Sequence, residues 1–278
     1  MELTTYDDVE AYAARVLPRL EADEARFNLA IAVLGSLRSG RTVPDRAPLL
    51  AVVGPDDVAV LHTPPHGLLL TGLPDGAAAA IIDAVLAGGY RPPLVVGPPE
   101  AVEPVAQEWE RRSGATRADV RAQGIYAVRE LVPPPKVAGA ARVATAEDAP
   151  LIHEWQVAFS DELDLQPLPR RPQTDARTRS GDFTLWAVDG EPVALAGVGG
   201  RTTRGARIGP VYTPPGRRGR GYGAAVTAAA TQRCFDQGAE RCFLYTDLAN
   251  PTSNAIYQRL GYERVGDSLE VTFVASPV

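Results

Sequence analysis

Arg217-Arg218-Gly219-Arg220-Gly221-Tyr222-Gly223 sets three cations and three glycines between an apolar run at 206–213 and an alanine-rich run at 222–237. Where a strand enters a helix through glycines, the first-turn N–H groups have no intrahelical partner and point outward together. The helix end adds a positive partial charge, worth about 0.3–1 kcal/mol per anionic neighbour. Glycine lets an anion reach the backbone with no Cβ in the way, and arginine adds forked donors. The stretch therefore reads as a grip for a pyrophosphate-like anion. It is not a P-loop, since no Gly-Lys-Ser/Thr ending occurs, nor a GxGxxG loop with an acid about 20 residues on.

The rest of the composition makes this cluster local. The chain has 278 residues and a formal net charge of −6, which argues against a general binder of nucleic acid or membrane. Length leans towards two domains. Cys234 and Cys242, the two cysteines, are too few for a disulfide framework and lack redox or zinc spacing, so they read as free thiols. No apolar stretch approaches 18 residues and the N-terminus is amphipathic and acidic, which gives cytoplasmic localisation as the expectation. His62 and His66 flank a Pro-Pro turn without helical spacing, and no metal site is expected.

Periodicity divides the chain. Tyr6, Val9, Ala13, Val16, Leu17 and Leu20 share a helical face, repeated by Phe27, Ala30, Ile31, Leu34 and Leu37. Short β-type runs at 49–53, 58–62 and 68–71 alternate with Gly-Pro-Asp-Asp and Thr-Pro-Pro-His turns. A helix at about 77–87, a strand at 94–96, a helix at about 101–112 and a β-like run at 118–131 complete the first half. Pro133-Pro134-Pro135 marks a stiff spacer, giving residues 1–132 as one domain, 133–139 as linker and 140–278 as the second domain. Beyond it come a strand at 142–144, an acidic helix start at Thr145 to Asp148, and a helical face of Leu151, Ile152, Trp155 and Phe159. A polar, proline-interrupted stretch covers 161–181. A hairpin turns at Asp189-Gly190, a third strand runs over 206–213, and the arginine-glycine segment follows it.

The segment Arg218-Gly219-Arg220-Gly221-Tyr222-Gly223 matches Arg/Gln-x-x-Gly-x-Gly/Ala and so resembles the first signature of the GNAT acetyltransferase superfamily. The strand before it, Ile208-Gly209-Pro210-Val211-Tyr212-Thr213, is similar to that family's cofactor strand. Asn250-Pro251-Thr252-Ser253-Asn254-Ala255-Ile256-Tyr257-Gln258-Arg259-Leu260-Gly261-Tyr262, after a strand at 242–246, resembles its second signature. The resemblance implies an α/β fold with a mostly antiparallel central sheet, two splayed parallel strands and helices on both faces. It implies acetyl-CoA as the cofactor, leaving as coenzyme A. Carried over by position, Val211, Tyr212 and Thr213 hydrogen-bond the pantetheine and acetyl carbonyl. The amides from Gly219 through Arg220, Gly221, Tyr222 and Gly223 to Ala224, with Arg218 in the same signature, hold the pyrophosphate, and Asn250 and Asn254 meet the arm from the other side. Asn250 before a proline also suits a helix N-cap, and both roles can coexist.

The resemblance further implies direct attack of an amine on the thioester in a ternary complex, with Tyr257 as the acid for the leaving thiolate and a backbone N–H near Val211 or Tyr212 as oxyanion donor. Tyr257 otherwise reads as a half-buried core aromatic. A phenol near 10 and a thiol near 8.5 differ by about 1.5 units, so complete proton transfer costs about 2 kcal/mol unless the site lowers the phenol. The chain departs from the family pattern on the strand before the second signature, where Phe243-Leu244-Tyr245-Thr246 offers no glutamate base and Asp247 comes two residues late. Asp161, Glu162, Asp164, Asp175 and Asp182 either attract a cationic acceptor or form a solvated helix end and loop. The first half lacks the arginine-glycine signature. Its nearest analogue in the sequence, Val95-Val96-Gly97-Pro98-Pro99-Glu100, has prolines and an acid where amides and cations are needed, yet the first half's order of elements echoes the second half, so a tandem with a degenerate GNAT-like N-terminal domain is expected. The function implied is N-acetylation of a small-molecule amine. A peptide or protein N-acetyltransferase and a non-catalytic acyl-CoA-binding regulator are the alternatives.

Overall fold

The computed structural model describes residues 2–165 and 167–274. Ten elements follow one another as β1 Leu3–Tyr6, α1 Val9–Ala22, α2 Glu24–Arg38, β2 Leu49–Val53, β3 Val58–His62, β4 Leu68–Leu70, α3 Ala78–Ala87, β5 Leu94–Gly97, α4 Pro99–Ser113 and β6 Thr116–Val128. The same succession then repeats as β7 Ala140–Val143, α5 Ala149–Glu162, α6 Arg171–Arg179, β8 Phe183–Val188, β9 Glu191–Arg201, β10 Gly205–Tyr212, α7 Tyr222–Asp236, β11 Arg241–Asp247, α8 Pro251–Arg259 and β12 Glu263–Val274. The fold is the α/β tandem that the sequence implies.

In the first unit β1 to β4 form an antiparallel meander, and β4 pairs parallel with β5. Strands β2, β3 and β4 are buried along their whole length, which is why Leu49-Leu50-Ala51-Val52-Val53 runs apolar without alternation. One face packs Tyr12, Val16, Leu20, Ile31 and Leu34 of α1 and α2 on Leu50, Val52, Ala59 and Leu61. The opposite face packs Ile81, Ile82, Val85, Val102, Val105 and Trp109 of α3 and α4 on Val60, Leu68, Leu70 and Val95. The Tyr12 hydroxyl donates to the Val60 carbonyl at 3.1 Å and pins α1 to the sheet.

The second unit has the order β11-β10-β9-β8-β7, antiparallel except for the parallel pair β10/β11. Helix α7 is embedded along most of its length through Ala225, Val226, Thr227, Ala228, Ala230 and Thr231. Small side chains let it lie close on the sheet, and Thr231 and Tyr262 share a buried hydroxyl–hydroxyl hydrogen bond of 2.6 Å. Helices α5 and α6 serve the other face, where Ile152 and Trp155 pack with Phe183, Leu185, Leu195 and Tyr212.

The unit boundaries differ from the expected 1–132, 133–139 and 140–278. The first unit comprises the chain up to Ile125, Asp247–Ala249 and the chain from Val265, and the second comprises Tyr126–Thr246 and Asn250–Arg264. The physical reason is that terminal strands are built where they find partners. Leu269, Glu270, Val271 and Thr272 of β12 pair antiparallel with Gly97, Val96, Val95 and Leu94, whereas Tyr126 and Val128 at the end of β6 lie in the core with Leu260 and Tyr262. The proline segment 133–139 therefore lies inside the second unit. Three local expectations also change. Tyr6 ends a strand instead of starting a helix, Ala146–Asp148 is a 3-10 turn, and the polar stretch 161–181 contains α6.

Candidate active site

The registered partners of β10 and β11 are Gly205 with Arg241, Ala206 with Cys242 and Arg207 with Phe243. Strand β10 continues to Tyr212 and β11 to Asp247, so among the described residues the two part beyond Arg207 and Phe243. On its other edge β10 stays paired with β9, with Val211 opposite Ala196 and Tyr212 opposite Leu195, after irregularities at Ile208. Backbone polar groups alternate sides along a strand. One of Val211 and Tyr212 therefore turns its N–H and C=O away from β9, towards the gap.

The connection from β10 to α7 makes a 3-10 turn at Pro215–Arg217 and then passes through Gly219 and Gly221, both left-handed, at φ 77° and 80°. Only glycine adopts that conformation without strain. An added Cβ on Gly219 would meet nothing within 4 Å, so the backbone is open to an incoming group. Gly221 is the N-cap of α7 and supplies no side-chain cap. Its carbonyl accepts from the Ala225 N–H at 3.1 Å, and the earlier amides of Tyr222, Gly223 and Ala224 stand at the free end of the helix. These features fit a bound pyrophosphate. The Tyr222 side chain is buried in the core, so only its amide belongs to this end.

The three arginines are not equivalent. Arg217 pairs with Glu191 at 3.2 Å. Arg218 donates from Nε to the Thr213 carbonyl at 2.8 Å and from Nη2 to both oxygens of Glu162 at 2.8 and 2.6 Å. Arg220 is exposed, and no ion pair involves it among the described residues. Glu162 also accepts from the Tyr212 hydroxyl at 3.2 Å, and the Arg218 guanidinium lies 5.8 Å from the Tyr212 ring centre. Burial and the Glu162 carboxylate push the Tyr212 phenol up.

Across the gap, the side chains of the second signature are engaged locally. Asn250 caps α8, its Oδ1 accepting from the Ser253 N–H at 3.0 Å. Asn254 donates from Nδ2 to the Asn250 carbonyl at 2.7 Å and accepts at Oδ1 from the Tyr126 hydroxyl at 3.0 Å. Tyr257 packs edge-on against Tyr262 at 6.1 Å, and burial pushes its phenol up to about 12. The acidic residues are largely spent on ion pairs: Asp175 with Arg171 at 2.7 Å, Asp182 with Arg177 at 3.5 Å and Glu162 with Arg218. Asp247 accepts from the Ala249 N–H at 2.7 Å, closing a turn. Sequence reasoning missed the Glu162–Tyr212–Arg218 cluster, because 50 and 56 residues separate Glu162 from its partners. Its only trace was an acid at the end of a helix.

In the first unit the corresponding connection follows β4, not β5. It is Gly72-Leu73-Pro74-Asp75-Gly76-Ala77, with one acid and no cation. The Val95 to Glu100 stretch, expected as the analogue, instead forms β5 and the start of α4. Strands β4 and β5 stay together to their ends, since Leu68 and Leu69 pair with Val95 and Val96 and a Cβ on Gly97 would run into the Leu70 carbonyl.

The parted parallel strands leave an open edge of β10 beside the uncapped, glycine-entered N-terminus of α7. Residues 137–262, somewhat under half of the chain, match the acetyltransferase (GNAT) family. A 63-residue stretch is 44% identical to a mycothiol acetyltransferase of Salinispora tropica and spans about a fifth of either protein, 21% of this chain and 20% of the relative. Among solved structures, a Drosophila protein aligns over 99% of each chain at 14% identity and a TM-score of 0.71. A tandem GNAT protein from the clavulanic acid biosynthesis pathway covers 100% of this chain and 99% of its own at 15% identity and a TM-score of 0.55. Among the described residues no helix is long and apolar enough to cross a membrane.

Proposed function

We propose that this chain is an acetyl-CoA-dependent N-acetyltransferase that moves an acetyl group to a primary amine of a small molecule. The observation that carries the reading is the parting of β10 from β11 directly before the Gly219/Gly221 helix entry. When bound, acetyl-CoA supplies an activated thioester. The edge of β10 at Val211 and Tyr212 offers main-chain donors and acceptors to an extended arm, and the amides of Tyr222, Gly223 and Ala224, with Arg220, face the pyrophosphate. Asn250 and Asn254 serve by shaping α8 and placing Tyr257, more than by touching the arm themselves.

A neutral amine nitrogen attacks the acyl carbon, the C–N bond forms, the C–S bond breaks and the sulfur takes a proton as the nitrogen loses one. Tyr257 is protonated at neutral pH and stands ready to donate to the sulfur. A phenol at about 12 facing a thiol near 8.5 makes complete transfer uphill by about 5 kcal/mol. Tyr257 therefore acts chiefly through a hydrogen bond to the developing thiolate. The one carboxylate of β11, Asp247, is engaged by the Ala249 N–H at 2.7 Å, which favours acceptors whose nitrogen is substantially unprotonated near neutral pH. The local likeness to a mycothiol acetyltransferase supports acetyl as the group transferred.

The test combines thermal shift with coenzyme A and release of free thiol from acetyl-CoA across a panel of amines and short peptides. Stabilisation with thiol release from a small amine is the expected result. Release with peptides alone would move the acceptor to a polypeptide. Stabilisation without release from any acceptor would make the protein an acyl-CoA-binding regulator.

A further inference from the structure

Glu162 ends α5 on the face of the sheet opposite α7, yet it reaches the pyrophosphate loop. Its carboxylate takes two hydrogen bonds from Arg218 and one from the Tyr212 hydroxyl. Arg218 opens the arginine-glycine signature and Tyr212 closes the strand along which the arm would lie. One carboxylate thus holds a cation of the anion loop and a phenol of the cofactor strand together.

This pair is open to exchange. The side chains are 48% and 39% exposed, and pairs this accessible are weak because water competes and two long side chains must be ordered. A pyrophosphate offers the same guanidinium more charge and more acceptor oxygens. Arg218 does not have to move far, since its Nε is anchored on the Thr213 carbonyl while Nη2 changes partner. Once Arg218 is taken, Glu162 carries an uncompensated negative charge beside Tyr212, with Trp155 and Phe159 behind that ring at 6.1 and 6.4 Å.

We propose that Glu162 competes with the coenzyme's pyrophosphate for Arg218, and that coenzyme binding thereby unmasks Glu162 and Tyr212 as the group that draws in a cationic amine acceptor. This rests on the acyl-CoA reading given above. It gives Glu162 two successive partners, Arg218 without coenzyme and the amine with it. The amine is attracted as a cation by Glu162 and attacks after giving its proton to water.

The experiment is calorimetric titration of coenzyme A into the wild type, Glu162→Gln, Arg218→Gln and the double variant, with pantetheine, which lacks pyrophosphate, as control. Glu162→Gln is expected to bind coenzyme A two- to fivefold more tightly than the wild type. Arg218→Gln is expected to bind it more weakly, with no further change in the double variant and no effect of either substitution on pantetheine. Weaker or unchanged binding by Glu162→Gln would overturn the competition. No coenzyme binding by the wild type would overturn the acyl-CoA reading as a whole. With coenzyme A saturating, n-butylammonium is the probe of the unmasked group. Binding is expected to appear only with coenzyme present and to fall at least threefold in Glu162→Gln, whereas equal binding by the two proteins would overturn the acceptor role.

Discussion

The β4–α3 and β10–α7 connections are the same step of the same fold, executed once in each unit, and they are opposite in physical character. In the first unit the parallel strands stay closed to Leu70 and Gly97, and the loop carries Asp75 and no cation. In the second unit the strands part after Arg207 and Phe243, and the loop carries Arg217, Arg218 and Arg220 with two left-handed glycines. Both helices begin without a side-chain cap, so a bare helix end does not distinguish them. Strand separation, open backbone and sign of charge do.

Making the second loop resemble an ordinary one should have the largest effect. Gly221→Val forces a β-branched residue into φ 80°, with its Cβ 2.9 Å from Val137 Cγ1. Strain of about 1–3 kcal/mol is relieved only by moving the loop, so coenzyme A affinity is expected to fall at least about tenfold by calorimetry. Retained affinity would mean that the loop geometry is not the grip. In the first unit, Gly97→Ala pushes against the Leu70 carbonyl and is expected to cost about 1–3 kcal/mol of stability, read by chemical denaturation, with coenzyme affinity unchanged. A change in affinity would give the closed strands a part in binding.

Tyr257→Phe separates grip from chemistry within the second unit. Turnover is expected to drop roughly tenfold, as for loss of a hydrogen bond to the leaving group, while coenzyme affinity stays constant. An unaltered rate removes Tyr257 from the reaction. The smallest effect belongs to the first unit. His62 is buried against Tyr90 with Nδ1 3.3 Å from the Gly67 carbonyl, and burial pulls its pKa below the usual value. The unfolded chain takes up this proton first as pH falls. Stability is therefore complete above about 6.5 and declines below it. Denaturation midpoints at pH 7.5 and 5.5 check this, and in His62→Asn the part of the decline due to this residue should vanish.

The sequence made the second unit legible because its candidate site is written in local residues. Glycines, arginines and the Asn250–Pro251 cap each state a backbone or charge requirement within one or two turns of chain. The repeated order of elements was legible for the same reason, since periodicity is local. What escaped depends on pairing across distance. Strand β12 beside β5 joins residues far apart in the chain, and a mixed polar and apolar run such as Glu263–Val274 does not say which edge it will join. Helix α6 was hidden because Arg171-Pro172-Gln173-Thr174-Asp175 has no apolar face, and it is held instead by buried Thr174 and Thr178, with Thr174 donating to Gln156 at 2.8 Å. The closed gap in the first unit rests on one contact at Gly97, which no pattern of residue types foretells.

Amide hydrogen exchange with and without coenzyme A tests the contrast between the two units most directly. Protection is expected to rise at residues 208–213 and 219–225, with little change at 68–72 and 75–79. Equal protection of the two connections, or protection confined to the first, would contradict it.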